Sequence, residues 1–390
     1  MAWPNSSLQV KPFVVRVPDR TLAELKDSLR YARIGPRTFE NTTKPSPGFG
    51  LTRDWTLEAK DYWLNDYNWR STEDRINSFD NYKATVPLGD GRHEEIHFLA
   101  LPSSRPDAVP VVLLHGWPGS FLEFLDMLTL AKERDDSTKI PCTFIVPSLP
   151  GYAFSSGPSL DKPSSCEDMA EAVEALMIGL GYRDGYVAQG GDVGSFVARI
   201  LAARYSAKAA HLNFALMLPP ANVALGEIDA VEQAGLQRAA AFAAQGDAYA
   251  REHGQRPATI GLLLSTSPLA LLLWTAEKFL EWADEPLPMD RILDHVSLYW
   301  LTETFARSIY PYRQTLGPSP EDLASKFYID KPVGYSYFPK EIAPIPRAWV
   351  ATTANLVWSR QHSAGGHFAA LERPQDLLQD VYEFVASINT

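Results

Sequence analysis

Between residues 185 and 201 the chain passes from a short apolar run, Gly185-Tyr186-Val187-Ala188, into Phe196-Val197-Ala198-Arg199-Ile200-Leu201. The connection is Gly190-Gly191-Asp192-Val193-Gly194-Ser195. The length and bounding glycines of the first run read as a buried strand, and the second run reads as a helix. So abrupt a turn pushes its central side chain out of the sheet, and it needs small neighbours so that the two backbones can pass. Asp192 stands where a nucleophile elbow usually carries serine. A carboxylate needs no base to activate it: it displaces a leaving group at a saturated carbon and leaves an ester on the enzyme. The same six residues also fit a glycine-rich turn in which Asp192 caps a helix. Taken alone they do not decide between the two readings.

The surrounding pattern limits the fold further. From about residue 95, short apolar runs recur at Ile96-His97-Phe98-Leu99-Ala100, Val111-Val112-Leu113-Leu114, Phe144-Ile145-Val146 and Tyr186-Val187-Ala188. Segments with helical apolar spacing, such as Cys166 to Leu180, separate them. Strands alternating with helices predict a largely parallel sheet covered on both faces, an α/β fold. After Ala210-His211-Leu212-Asn213-Phe214 the alternation stops, and residues 220 to 325 read mostly as helix, including Val231 to Ala250, Ile260 to Trp282 and Ile292 to Ile309. Strand signals return at Trp349-Val350-Ala351 and Leu356-Val357-Trp358, and a helix from Leu377 to Ile388 closes the chain. Before the alternation, Leu22, Leu25 and Leu29 follow Pro18-Asp19 at helical spacing. A loop is expected at Pro45-Ser46-Pro47-Gly48, then an aromatic helix around Trp55, Tyr62 and Trp63 that runs into Tyr67-Asn68-Trp69-Arg70. The expected division is a helical lead-in over 1–90, an α/β core over 91–219 and 330–390, and a helical cap over 220–329.

Composition excludes several classes. The 390 residues are 45% hydrophobic and 21% charged, enough for a substantial core. A net charge of −11 argues against a nucleic-acid surface. Two cysteines, Cys142 and Cys166, argue against a disulfide framework and suit a reducing, cytoplasmic compartment. Met1-Ala2-Trp3-Pro4-Asn5 has neither the basic nor the apolar segment of a signal or membrane anchor. Without secretion, Asn5-Ser6-Ser7 and Asn41-Thr42-Thr43 read as chance glycosylation sequons. The apolar stretch Ile260 to Ala276 is interrupted by Ser265-Thr266-Ser267-Pro268. It falls short of the ~20 residues a membrane span needs, so a buried helix pair is expected.

In open α/β sheets, sites gather at the carboxyl ends of the strands. Three such ends carry reactive or polar groups. One is the turn at Asp192. Another is His115-Gly116-Trp117-Pro118-Gly119 after Leu114. A turn of this kind can aim backbone N–H groups at a developing oxyanion, a role assigned to those of Trp117 and Val193; an ordinary Gly-Pro loop is the plainer alternative. His115 is expected to hold the loop by hydrogen bonds. The third is Gly365-Gly366-His367-Phe368, whose glycines set His367 apart from the other seven of the eight histidines. A histidine base needs a carboxylate to orient it, and Glu341 in Phe338-Pro339-Lys340-Glu341 precedes His367 by 26 residues, after a strand. Asp192, Glu341 and His367 then follow the chain order nucleophile, acid, histidine.

His115-Gly116-Trp117-Pro118-Gly119-Ser120, Gly190-Gly191-Asp192-Val193-Gly194-Ser195 and Gly365-Gly366-His367-Phe368-Ala369-Ala370 together resemble the microsomal-type epoxide hydrolase family, most closely its soluble fungal branch. Tyr67-Asn68-Trp69-Arg70 and Ser148-Leu149-Pro150-Gly151-Tyr152 extend the resemblance over essentially the whole chain. It implies an α/β-hydrolase fold and two cap tyrosines that donate hydrogen bonds to the epoxide oxygen. These match Tyr249 and Tyr312, with Tyr310 set aside on the resemblance alone. A tyrosine with a pKa of ~10 remains protonated and can assist the departing alkoxide. The implied reaction converts a small apolar epoxide and water to a vicinal diol, with no metal or organic cofactor. The resemblance also implies a homodimer and a role in detoxification or catabolism of aromatic hydrocarbons. Two departures stand out. The acid is Glu341, as in the mammalian branch, where nearby fungal relatives have Asp, and the mammalian membrane anchor is absent.

Three rival readings follow from the same residues. Haloalkane dehalogenases resemble one another in placing Trp directly after the nucleophile, where this chain has Val193. An epoxide-opening biosynthetic cyclase and a non-catalytic binding protein that keeps the pocket are the others. A cap rich in Leu, Ala, Trp and Phe suggests an apolar tunnel, with Trp117, Phe196 and Phe214 as candidate lining residues that fit the core equally well.

Overall fold

The structure, a computed structural model, describes residues 3, 6–42, 48–134, 138–221, 223, 228–317 and 321–388. The expected loop at Pro45-Ser46-Pro47 lies outside the described residues, as do Met1, Ala2, Pro4 and Asn5 of the N-terminus and Thr43 of the second sequon. Among the described residues the strands are β1 (Val10–Pro12), β2 (Asp80–Pro87), β3 (His93–Leu101), β4 (Val109–Leu114), β5 (Cys142–Pro147), β6 (Tyr186–Gly190), β7 (Ala207–Leu212), β8 (Ile329–Tyr337) and β9 (Ala354–Gln361). They form one sheet in the order β1-β2-β3-β5-β4-β6-β7-β8-β9. From β5 through β9 every pair is parallel, while β1, β2 and β3 form an antiparallel flank that meets β5. The parallel strands are nearly all apolar because helices cover them: β4, β5 and β6 bury almost every residue. The helices pack in two groups, Cys166–Gly179 with Asp192–Arg204, and Leu125–Arg134 with Pro374–Ile388.

The N-terminal ninety residues are less helical than expected, because β1 and β2 belong to the sheet. Of their helices, Arg53–Asn65 and Trp69–Asn77 hold the helix Met289–Leu301 in place, and Asp19–Tyr31 packs on Pro268–Trp282. Trp63 Nε1 donates to Ser297 Oγ at 3.1 Å and the Tyr67 hydroxyl to buried Asp294 at 2.9 Å. Thr72 donates to the same carboxylate at 2.5 Å. These bonds fix the angle at which the late helices lie over the sheet.

The three long helices expected after residue 220 are each broken. Gly246 and Asp247 end Ala230–Gln245 before Ala248–Gln255 begins. Pro257 opens Pro257–Leu264, and Pro268 opens Pro268–Trp282 behind a Ser267 whose side chain accepts the Ala270 N–H. Proline at the first helical position costs nothing there but cannot continue a preceding helix. The apolar run is therefore a helix pair bent by 118°, and no single helix among the described residues is long and apolar enough to cross a membrane. The pair is buried on one side only, with Leu262 and Leu263 exposed. Trp349-Val350-Ala351, read as a strand, is a helical turn, Arg347–Val350, entered from Pro346. The strand expected before Glu341 is β8, Ile329–Tyr337.

Candidate active site

Asp192 is the first residue of the helix that follows β6, and its φ of 45° lies in the left-handed region. A non-glycine residue there stores about 1–3 kcal/mol, sustained only where the surroundings over-determine it. The neighbours do so by being small. A Cβ on Gly194 would run into the Leu114 carbonyl of β4, one on Gly191 into Asn213, and one on Gly116 into the Asp192 carboxylate itself. The turn thus delivers Asp192 above the sheet beside the loop that leaves β4.

That loop supplies the first contact. The Trp117 backbone N–H donates to Asp192 Oδ1 at 2.8 Å. Val193 is the second residue of its helix, so its N–H has no intrahelical partner by position and points the same way as the positive end of the helix. His115 braces the loop: Leu149 N–H donates to its Nε2 at 3.1 Å and its Nδ1 meets the Gly116 carbonyl at 3.2 Å. Burial lowers its pKa to about 4, so it is a neutral strut.

The second contact comes from the loops after β8 and β9, which a bridge between Lys340 and Gly366 clips together. His367 Nε2 lies 3.5 Å from Asp192 Oδ2, and its Nδ1 lies 2.6 Å from Glu341 Oε1. The same Glu341 oxygen accepts the Ile342 N–H at 2.6 Å. Burial alone would lower the His367 pKa, but Glu341 and Asp192 outweigh it and hold the pKa well above the ordinary value. The His367 backbone is tied to the end of the helix Pro268–Trp282 through its N–H to the Trp282 carbonyl at 3.0 Å. Glu372, which accepts from Gly366, Phe368 and Asp284, holds the same loop.

Above Asp192 lie aromatic side chains from the late helices. Tyr249 stacks on Trp117 with ring centroids 5.3 Å apart, and Tyr312 meets Trp117 and Tyr249 edge-on, each at 5.8 Å. Burial, with the nearby Asp192 charge adding to it, raises both tyrosine pKa values well above 10. Both are therefore hydrogen-bond donors at any physiological pH. The Tyr312 hydroxyl is buried without a hydrogen-bond partner, whereas Tyr310 donates to the Pro150 carbonyl at 3.2 Å. Phe214 packs edge-on against His367 at 5.7 Å, and Phe196 against Phe214 at 6.3 Å, one layer further away. Among the described residues no His, Cys, Asp and Glu group has the arrangement of a metal site.

The fold thus brings together the residues singled out in the sequence: Asp192, Glu341, His367, the Trp117 N–H, and, on the cap side, Tyr249 and Tyr312. Sequence reasoning passed over Trp282, which stands edge-on to His367 at 5.1 Å and lies 5.1 Å from Tyr249. No local signal distinguishes it from the other nine of the ten tryptophans. It also passed over Glu372 and Glu123. Glu123 had a signal, since Ser120 and Glu123 have the spacing of a capping box.

Comparison with known proteins agrees with this geometry. The family described as "Epoxide hydrolase N terminus" matches residues 10–124, and that described as "alpha/beta hydrolase fold" matches residues 109–272. The solved structure of Aspergillus niger epoxide hydrolase is similar with a TM-score of 0.92 and 47% identity, covering 99% of this chain and 98% of that one. A Dothistroma septosporum protein provisionally named an epoxide hydrolase is 43% identical over 386 residues, which are 98% of this chain and 91% of the relative. Epoxide hydrolase 1 of Sus scrofa is 29% identical over 415 residues, covering 96% and 88% of the two chains. With a mostly parallel sheet that carries the site at the carboxyl ends of its strands, the chain belongs to the epoxide hydrolase family and is an epoxide hydrolase of the α/β-hydrolase fold.

Proposed function

We propose that the enzyme opens its epoxide in two steps through an ester on Asp192. In the first, Asp192 Oδ2 attacks a ring carbon while Tyr249 and Tyr312 donate hydrogen bonds to the ring oxygen, one of them giving it a proton. In the second, His367, oriented by Glu341, takes a proton from water, and the hydroxide adds to the ester carbonyl carbon. The Trp117 and Val193 N–H groups receive the oxyanion on Oδ1. The observation that carries this reading is the division of labour between the two Asp192 oxygens. Oδ1 already rests on the Trp117 N–H, and Oδ2 lies beside His367 Nε2.

The two buried tyrosine donors favour an oxygen leaving group over a halide, and Val193 rather than Trp follows the nucleophile. The free Tyr312 hydroxyl and the occupied Tyr310 hydroxyl support Tyr312 as the second donor. We assign residues 220–329 to a cap over a core of 91–219 and 330–390, with 1–90 bracing both. The substrate is a small apolar epoxide bordered by Trp117 and Phe214, with Phe196 behind them. Two buried free cysteines support a cytoplasmic location, and the homodimer and a detoxifying role remain part of the same reading. No cofactor takes part in either step.

A single turnover in oxygen-18 water tests the ester. The first diol should carry no label in its new hydroxyl, and the peptide containing Asp192 should gain it instead. Label in the diol from the first turnover would exclude the ester, and a directed cyclase acting by acid catalysis would survive Asp192→Asn, which should abolish this enzyme.

A further inference from the structure

Behind the nucleophile is a cavity of about 20 Å³, room for one water molecule. Gly116, Trp117, Gly119, Glu123, Asp192 and His367 are among its walls. Four of these six already have a part in the two steps above or shape the turn around them. Glu123 has none, and with Asp192 it is one of two carboxyl groups at the same cavity.

Its position is built rather than incidental. Glu123 belongs to the short 3₁₀ turn Phe121–Phe124, which starts from Ser120. Ser120 Oγ accepts the Leu122 N–H at 3.2 Å, and the Glu123 carboxyl takes the Ser120 N–H, a reciprocal arrangement that fixes the side chain. The carboxyl then lies across Gly119, where any Cβ would overlap it. One accepted N–H leaves a carboxyl group further acceptor capacity. Burial pushes its pKa up to about 8, with Asp192 adding to the rise and His367 opposing it. At neutral pH it is an uncharged acid with a free acceptor direction.

We propose that Glu123 holds the water that hydrolyses the Asp192 ester, accepting one of its hydrogens while His367 accepts the other. This rests on the ester reading and names a further residue in its second step. With both hydrogens engaged, the oxygen lone pair of the water is turned toward the carbonyl carbon of Asp192. The O–H bond toward His367 breaks and its proton passes to Nε2 as the new O–C bond forms. The tetrahedral intermediate collapses with loss of the bond to the diol oxygen, which leaves with the proton from His367. The acid proton left on Asp192 restores the tyrosine that protonated the ring oxygen. Glu123 neither gains nor loses a proton. Because it is neutral, it places no third negative charge beside the developing oxyanion.

The test uses the full chain with Glu123→Gln and Glu123→Leu, a simple aryl epoxide such as styrene oxide, and rapid quenching with intact-mass detection of the alkyl-enzyme. The amide keeps the acceptor oxygen, so Glu123→Gln should keep ester formation and ester hydrolysis within about fivefold of wild type. Glu123→Leu should form the ester within about threefold of the wild-type rate and hydrolyse it about 10- to 100-fold more slowly, so that ester accumulates. Ester hydrolysis unchanged in Glu123→Leu, a fall of both steps together, or equal damage from Gln and Leu would each overturn the proposal. If Glu123→Leu does not fold, the pH profile decides. Wild-type ester hydrolysis should bend near pH 8, and Glu123→Gln should lack the bend; superimposable profiles overturn the proposal. Failure of the wild type to form any ester would overturn the two-step reading and this one with it. Ester formation with silent Glu123 variants would overturn only this one.

Discussion

Esterification removes the charge of Asp192, and the geometry says what this does to His367. In the free enzyme the imidazole lies between Glu341, 2.6 Å from Nδ1, and Asp192, 3.5 Å from Nε2. Both carboxylates favour the imidazolium, which cannot act as a base. Asp192→Asn imitates the uncharged ester without any substrate. At 3.5 Å the lost attraction is about 1 kcal/mol at the dielectric of water and about 5 kcal/mol at an effective dielectric of 20. Since each pH unit corresponds to about 1.4 kcal/mol, the His367 pKa should fall by roughly 1 to 3.5 pH units in the variant. The assay is an NMR titration of histidine-labelled protein, with the signal identified by its loss in His367→Gln. A fall of less than about half a pH unit, or a rise, would refute the argument that Asp192 controls the base. The stability consequence has a definite sign. A histidine whose folded pKa exceeds its unfolded value near 6.5 stabilises the fold fully below that pH, and the contribution is lost as the pH rises through the folded pKa. The deficit of Asp192→Asn should therefore be largest below about pH 6.5 and shrink above it. In the proposed mechanism the first step would thereby convert His367 into the base that the second step needs.

Removing either cap hydroxyl by Tyr249→Phe or Tyr312→Phe should slow ester formation about 10- to 100-fold and leave ester hydrolysis unchanged in rapid-quench measurements, since each bond to a charged oxygen is worth about 1.5–3 kcal/mol. Gly116→Ala should push the Asp192 carboxylate off the Trp117 N–H; activity should fall at least about 100-fold, with about 1–3 kcal/mol lost in denaturant unfolding. Glu123→Gln should be more stable than wild type by on the order of 3 kcal/mol at pH 7, because burial raises the folded pKa from 4.5 to about 8. Its advantage should open between those two values, and unfolding curves that stay parallel from pH 5 to pH 8 would contradict it. Glu341→Gln should slow ester hydrolysis far more than ester formation, since it removes the charge that orients His367.

Much of the site was legible because its chemistry sits on turns with strong local requirements. Asp192 is flanked by glycines whose Cβ atoms would strike neighbouring backbone or side chains, and His367 follows a Gly365 with φ of 108°. Such positions leave marks in sequence. The core strands were legible because burial on both faces makes them continuous apolar runs. Trp349-Val350-Ala351 misled because the aromatic Trp349 and the β-branched Val350 favour a strand, while Pro346 starts a helical turn that propensity alone does not reveal. β8 was legible only as a strand before Glu341, without bounds, because Lys331, Pro332 and Gly334 interrupt its apolar residues. Trp282 meets His367 across the fold, and Glu372 acts on its loop through backbone N–H groups that no side-chain pattern announces. Neither leaves a local trace. Tyr312 and Tyr310, two residues apart, are separated only by whether a carbonyl, that of Pro150, reaches the hydroxyl.

The glycines beneath Asp192 also determine where this enzyme can diversify. Gly116, Gly119, Gly190, Gly191 and Gly194 each face an atom that a methyl group would strike, so the floor of the site is closed to substitution. The roof is different. Tyr249, Trp282 and Tyr312 meet over Trp117 through ring contacts, and the helices that carry them are separate pieces divided by Gly, Ser and Pro breaks. A change in one such helix can shift a wall of the pocket without disturbing the nucleophile, its base or its oxyanion donors. New substrate preferences should therefore arise from mutations mapped to residues 228–317, and a library confined to the turns below should return mostly inactive protein.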